Sequence, residues 1–466
     1  MAFSSTVFLF VFLPIVYILH LILPGLKAKN FLLILTSLFF YAFGEPVAVI
    51  ILIFSAFINY ALALWLERTK HRRIVIALCA VLNLAVLGFF KYLDFALGLV
   101  NSALGSSLPI TGVALPIGIS FFTFQAMSYV FDVGNGSCKA QKNPFTVLLY
   151  LSFFPQLVAG PIVKYHDIEL QLLNRTISSE QTANGIRRFI LGLSKKLLIA
   201  NILAKTADLV FSMNADGLSL PLAWLGAISY MMQIYFDFSG YSDMAIGLGH
   251  MFGFTFRENF MLPYSADSMK DFWRRWHISV SSWFKEYLYI PLGGNRHGKL
   301  KTCRNKLIVF FCTGLWHGAN LTFIVWGMIH GLFLLLEDAL PSLAKCRFVI
   351  LRRIYTLLVV CCTFVIFRTD TLSQAQSFLA AMFTGFSQSP AQLSVFMMQL
   401  SPLWVATLAV AVFFSVFRTD AFFSKLRAKN KALTECASYA VSLGLLALCI
   451  LNLSTAGYNP FIYFRF

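Results

Sequence analysis

His317 stands in Leu315-Trp316-His317-Gly318-Ala319-Asn320, an ionisable side chain between two apolar runs. Imidazole titrates near neutral pH, so it can act as a general base toward an acceptor hydroxyl. The same ring can instead bond a carbonyl inside a helix bundle and serve only structure. A polar group at membrane depth is costly, which favours the functional reading. Gly318 would let a substrate approach the backbone closely. A second histidine, His277, ends Asp271-Phe272-Trp273-Arg274-Arg275-Trp276-His277. Its two arginines suit a polyanionic donor such as the phosphates of coenzyme A. The plain alternative is an aromatic and basic belt at the membrane boundary.

Two more groups carry possible chemistry. Gln233–Asp243 holds Asp237, Tyr241 and Asp243 in a strongly apolar run. Carboxylates there must be paired or solvated, and Arg274 and Arg275 are candidate partners. A structural network explains them better than direct catalysis, because paired carboxylates usually serve structure. The terminal Phe461-Ile462-Tyr463-Phe464-Arg465-Phe466 offers Tyr463, a phenol that can carry an acyl group covalently. From spacing alone, an interfacial aromatic anchor explains that hexapeptide better.

The elements that must position these residues follow from composition. Hydrophobic residues are 58% and charged residues 12% of 466, against about 25% charged in soluble domains. The apolar runs are continuous rather than alternating, which points to membrane helices and not a barrel. The fold class is all-α, a polytopic integral membrane protein with roughly 11–14 membrane helices, some re-entrant or interfacial. The formal net charge of +17 lies mostly in short loops. That is the pattern of cytoplasmic loops facing anionic lipid, so membrane lipids and not nucleic acid are the expected partners. The cysteines show no paired CxxC spacing, so a metal site is not expected. The uncharged start from Phe3 to Leu23 reads as a retained first helix.

Basic clusters order the rest. Arg68, Lys70, Arg72 and Arg73 are cytoplasmic, with a turn at Gly44-Glu45-Pro46 before them. Segment 188–211 reads either as a membrane helix or as an interfacial helix whose Lys and Arg face the headgroups. Segment 220–238 reads as a span. Asn295–Lys306 and Lys345–Arg353 are both cytoplasmic, so the chain between them enters and returns. Leu307–Trp316 and Leu321–Leu336 then form a hairpin. Ten helical residues rise about 15 Å, which puts His317 at its turn near mid-membrane. The same rule makes the tail after residue 453 extracytoplasmic.

Together these stretches resemble the membrane-bound O-acyltransferase family, in its bacterial alginate O-acetyltransferase-like branch. The carrying residues are Tyr235–Asp243, Asn259, Pro263-Tyr264, Phe272–His277, Tyr287–Asn295, Leu315–Ala319 and Trp326-Gly327 with His330-Gly331. Leu115–Phe124 and Phe154–Pro161 are similar too, so the resemblance spans the chain. It implies a single domain over 1–466, with a catalytic core near 115–337 and C-terminal helices and tail over 350–466. The implied fold is a ring of helices around a tunnel. His317 becomes the essential residue and His277 its companion. Trp316, Asn320, Arg274, Arg275, Trp276, Asp237, Tyr241 and Asp243 become supporting or donor-binding residues. The implied donor is acetyl-CoA, with no permanently bound cofactor. The implied setting is the bacterial inner membrane, with an SGNH-hydrolase-like partner outside that esterifies a polysaccharide. An alginate-like polymer, peptidoglycan and cellulose are the open acceptors. The family's tyrosine relay maps to Tyr463. A transporter or flippase, or a scaffold of a polysaccharide export complex, is the competing class.

Overall fold

A computed structural model describes residues 1–158, 160–341, 347–418, 420–455 and 461. The described chain is helical, with no strand among the described residues. The first helices are α1 (Leu13–Ile22), α2 (Gly25–Ala42), α3 (Ala48–Arg68), α4 (Arg72–Leu104), α5 (Ile119–Asn135), α6 (Pro144–Ser152), α7 (Phe154–Leu157) and α8 (Tyr165–Leu173). Next come α9 (Ser179–Ser194), α10 (Asn201–Ser212), α11 (Leu220–Met251), α12 (Met269–Arg275), α13 (Ile278–Phe284), α14 (Lys299–His317) and α15 (Leu321–Ala339). The last are α16 (Val349–Arg368), α17 (Leu372–Thr384), α18 (Pro390–Gln399), α19 (Pro402–Val416), α20 (Asp420–Lys429) and α21 (Lys431–Thr455).

Among the described residues, five helices are long and apolar enough to cross a membrane: α3, α4, α15, α16 and α21. The pair α18 and α19, bent by 64°, makes a sixth if it counts as one span. Their outer faces stay apolar, with Phe54, Val81, Leu443 and Leu451 exposed. Such faces suit lipid rather than water.

The chain gathers into two compact units, residues 1–189 with 242–258, and residues 190–241 with 259–466. In the first, Phe3, Phe8, Phe40 and Phe154 form a buried aromatic cluster. His166 on α8 bridges two carboxylates there, Asp132 at 2.9 Å and Asp167 at 3.3 Å. The hydrogen bond to Asp132, then that to Asp167, raises its pKa from 6.5 to about 10.

The second unit holds the hairpin. Residues 318–320 join α14 to α15, as the charge pattern predicts. The helix begins at Lys299, eight residues before the apolar run, because Lys and Arg are good helix formers. Its two arms touch backbone to backbone. A Cβ on Gly314 would strike the carbonyl of Phe323, and one on Gly327 the carbonyl of Phe310. Glycine is therefore required at both points for steric reasons. Lys306 on α14 pairs with Asp338 on α15 at the open end.

Two expectations are corrected here. The span expected over 220–238 runs on to Met251 as α11, carrying Asp237, Gly240 and Asp243 within it. Gly240 is needed because α9 crosses there, with the carbonyl of Gly192 2.7 Å from where a Cβ would sit. The segment expected to lie along the interface is α9 and α10 joined by a widened turn over Lys195–Ala200. Widened turns change which residues share a face, and Lys196 points inward, 4% exposed.

Candidate active site

His317 is the last residue of α14, and its ring is enclosed by aromatic side chains. Trp316 and Trp326 each lie 5.0 Å away between ring centroids, and Phe367 of α16 lies at 5.2 Å. The α14–α15 glycine contact is what brings Trp326 this close. His317 is only 5% exposed. The space beside Gly318 is filled by the Phe323 ring, which any side chain at 318 would strike. That glycine therefore admits Phe323 rather than open backbone.

His277 arrives from the opposite direction in the sequence. Helix α12 ends at Arg275, and His277 adopts a left-handed backbone, φ 43°, before α13 begins. For a residue with a Cβ this conformation is strained and needs support. Asn259 supplies it. Its carbonyl Oδ1 accepts from Ser279 N at 3.1 Å and Ser279 Oγ at 2.9 Å, and lies 3.2 Å from His277 Nδ1. The backbone N–H of Ile278 donates to the Asn259 carbonyl at 2.9 Å. Since Oδ1 only accepts, the pairing assigns the proton to Nδ1 and a lone pair to Nε2. Phe238 packs edge-on against the ring at 4.6 Å. His277 and His317 then stand 6.5 Å apart between ring centroids, with Trp316 5.7 Å from His277. Both imidazoles are buried among aromatic rings, where water is scarce and electrostatic effects are strong.

The remaining expected site residues fall into three groups. Trp276, 3% exposed, packs between Phe260 at 5.0 Å, Phe364 at 5.3 Å and Phe272 at 5.5 Å, and fixes the turn before His277. Asn320 caps α15, accepting from Thr322 N at 3.2 Å, and donates to the Asp370 carbonyl at 2.8 Å. Arg275 pairs with Asp271 at 2.8 Å and donates to Ser265 Oγ at 3.2 Å, whereas Arg274 is exposed.

The expected partnership of Asp237 and Asp243 with Arg274 or Arg275 is corrected. Asp237 pairs with Lys196 at 2.6 Å, and both side chains are buried. Asp243 pairs with Arg188 at 2.6 Å, which also grips Glu258. Tyr241 lies nearby on the same helix as Asp237, 3% exposed, with Phe461 4.6 Å from its ring. Phe461 also packs on Phe238 at 5.9 Å. Tyr463 lies outside the described residues.

Sequence reasoning gave no site role to Asn259, Ser279 or Phe367, and expected Lys196 to face the headgroups. Asn259 was visible only as a motif letter. Lys196 and Phe367 sit far along the chain from what they touch, so no local pattern marks them.

With this geometry in hand, relatives are informative. Residues 119–368 match the membrane-bound O-acyltransferase family. The chain is 40% identical to a probable alginate O-acetylase of Pseudomonas putida over the whole of both chains. It is 37% identical to a probable alginate O-acetylase of Pseudomonas aeruginosa, again over the whole of both. It is 40% identical to a peptidoglycan O-acetyltransferase of Helicobacter pylori over 72% of this chain and 70% of the other.

Proposed function

This chain belongs to the membrane-bound O-acyltransferase family and is a multi-pass membrane O-acyltransferase, and we propose that it passes an acetyl group from cytosolic acetyl-CoA across the inner membrane for O-acetylation of a polysaccharide outside. One observation carries the reading. Two histidines from distant motifs meet 6.5 Å apart in an enclosure of aromatic rings. Single structural histidines do not need that convergence.

In this reading His317 is the general base. It takes the proton from an attacking hydroxyl as that oxygen adds to the thioester carbon. The C–S bond breaks, and the imidazolium returns the proton to the departing sulfur, which leaves as the coenzyme A thiol. His277, held by Asn259 through Nδ1, offers Nε2 as an acceptor and completes the site. Burial among Trp316, Trp326 and Phe367 keeps water from competing with the acceptor. Arg274 is an exposed cation suited to the donor's phosphates.

The acceptor hydroxyl is that of Tyr463, which carries the acetyl group to an SGNH-hydrolase-like partner. Phe461 supports this, because it is seated on Tyr241 and Phe238, and Phe238 packs on His277. Two residues of extended chain span at most about 7 Å. The names of the relatives, alginate O-acetylase and peptidoglycan O-acetyltransferase, favour an extracytoplasmic glycan as final acceptor.

The test is polymer O-acetylation in cells carrying His317→Ala at matched protein level. Loss of acetylation is expected, and full acetylation overturns the reading. For the relay, intact-mass analysis of protein incubated with acetyl-CoA should find one acetyl group on the C-terminal peptide. Full activity in Tyr463→Phe removes Tyr463 from the mechanism.

A further inference from the structure

One face of α15 touches both the His317 ring and α12, the helix that leads into His277. Trp326, His330 and Glu337 are spaced by four and seven residues, so they share that face. At one end, the Glu337 carboxylate accepts from the backbone N–H of Met269 at 2.6 Å and of Lys270 at 3.1 Å. It thereby caps the first turn of α12. In the middle, His330 Nδ1 accepts from Trp273 Nε1 at 3.2 Å. An indole N–H only donates, so the His330 proton lies on Nε2. At the other end, the Trp326 ring is 4.9 Å from His330 and 5.0 Å from His317.

His330 is 0% exposed, and its Nε2 has no hydrogen-bond partner among the described residues. A buried donor left unpaired is costly, and a leucine would fill the volume without that cost. What leucine lacks is the acceptor for Trp273. Trp273 lies one turn before Trp276-His277 and packs on Trp326 at 5.8 Å.

We infer that His330 is a positioning residue. By holding Trp273 and backing Trp326, it sets the spacing of His277 from His317. The inference rests on the acyl-transfer reading above.

The test uses full-length protein in lipid nanodiscs, with coenzyme A release measured over an acetyl-CoA titration. Rates are expressed per folded protein from size-exclusion chromatography, so misfolding does not mimic lost turnover. His330→Leu is expected to lower kcat about tenfold, the worth of roughly one hydrogen bond expressed in the transition state, with KM unchanged. His330→Asn should recover most of it, because its Oδ1 can stand where Nδ1 accepts. Trp273→Phe removes the donor and should match His330→Leu, and the double variant should fall no further. Wild-type kcat in His330→Leu or Trp273→Phe overturns the inference, as does multiplication of the two losses. If His330→Leu does not accumulate, Trp273→Phe carries the same test. His317→Ala runs alongside. If it keeps full release, the acyl-transfer reading fails; if it is inactive while His330→Leu keeps wild-type kcat, only the positioning role fails.

Discussion

Replacing Lys196 with Met leaves the Asp237 carboxylate buried without its cation. The pair is 2.6 Å apart, with side chains 5% and 2% exposed. Breaking one partner of a buried pair costs about 3–5 kcal/mol, because the other charge remains desolvated. Removing both is different. Lys196→Met with Asp237→Leu replaces two buried charges by apolar groups, which is often neutral or stabilising. Wild type, both singles and the double therefore form a cycle in which the double is more stable than either single. Unfolding in mixed micelles against sodium dodecyl sulfate reads the stabilities, and coenzyme A release per folded protein reads turnover. If Asp237 serves structure alone, the double variant also recovers activity. A stable but inactive double variant would give Asp237 a chemical role. A double variant no more stable than the singles, or a Lys196→Met protein as stable as wild type, would refute the reasoning on the pair itself.

Gly327→Ala should destabilise the protein by about 1–3 kcal/mol, since its Cβ meets a backbone carbonyl that cannot step aside. Gly444→Ala, with nothing within 4 Å of the new carbon, should be neutral or stabilising in the same micelle titration. Asn259→Leu removes the acceptor beside His277 Nδ1 and for two donors of Ser279. It should lower kcat by tenfold or more per folded protein, and Asn259→Asp should do less harm. His166 contributes stability with a sign fixed by its raised pKa. That contribution is fully present below pH 6.5 and is lost as pH rises through about 10. The stability difference between wild type and His166→Asn should therefore shrink over that window, and a difference independent of pH would show the carboxylate pairing to be inert.

The hairpin of α14 and α15 was legible because loop charge and a Gly-containing break are local signals that act before folding. Its steric lock at Gly314 and Gly327 was not, since a close approach depends on which carbonyl comes opposite. His317 and His277 were legible as chemistry-bearing residues within dense motifs, but their 6.5 Å meeting was not. The Lys196 reading failed for a specific reason. A basic residue in an amphipathic helix ordinarily faces headgroups. The widened turn at Lys195–Ala200 shifts the face, and the desolvation of its charge is offset by pairing with Asp237, 41 positions away. The same pairing explains why α11 outran its expected end. Asp237 and Asp243 are tolerable inside a helix because each has a cation.

The glycine contact within the hairpin also bears on how variants of this protein are scored. Two arms whose close approach is backbone against backbone can pair only after both have entered the bilayer. Carbon added at Gly314 or Gly327 should then act during biogenesis, leaving chains for quality-control proteases rather than slow enzymes. A genetic screen reading polymer acetylation alone would rank these glycines beside His317. Dividing product by the amount of inserted protein separates residues that build the hairpin from those that work at its tip.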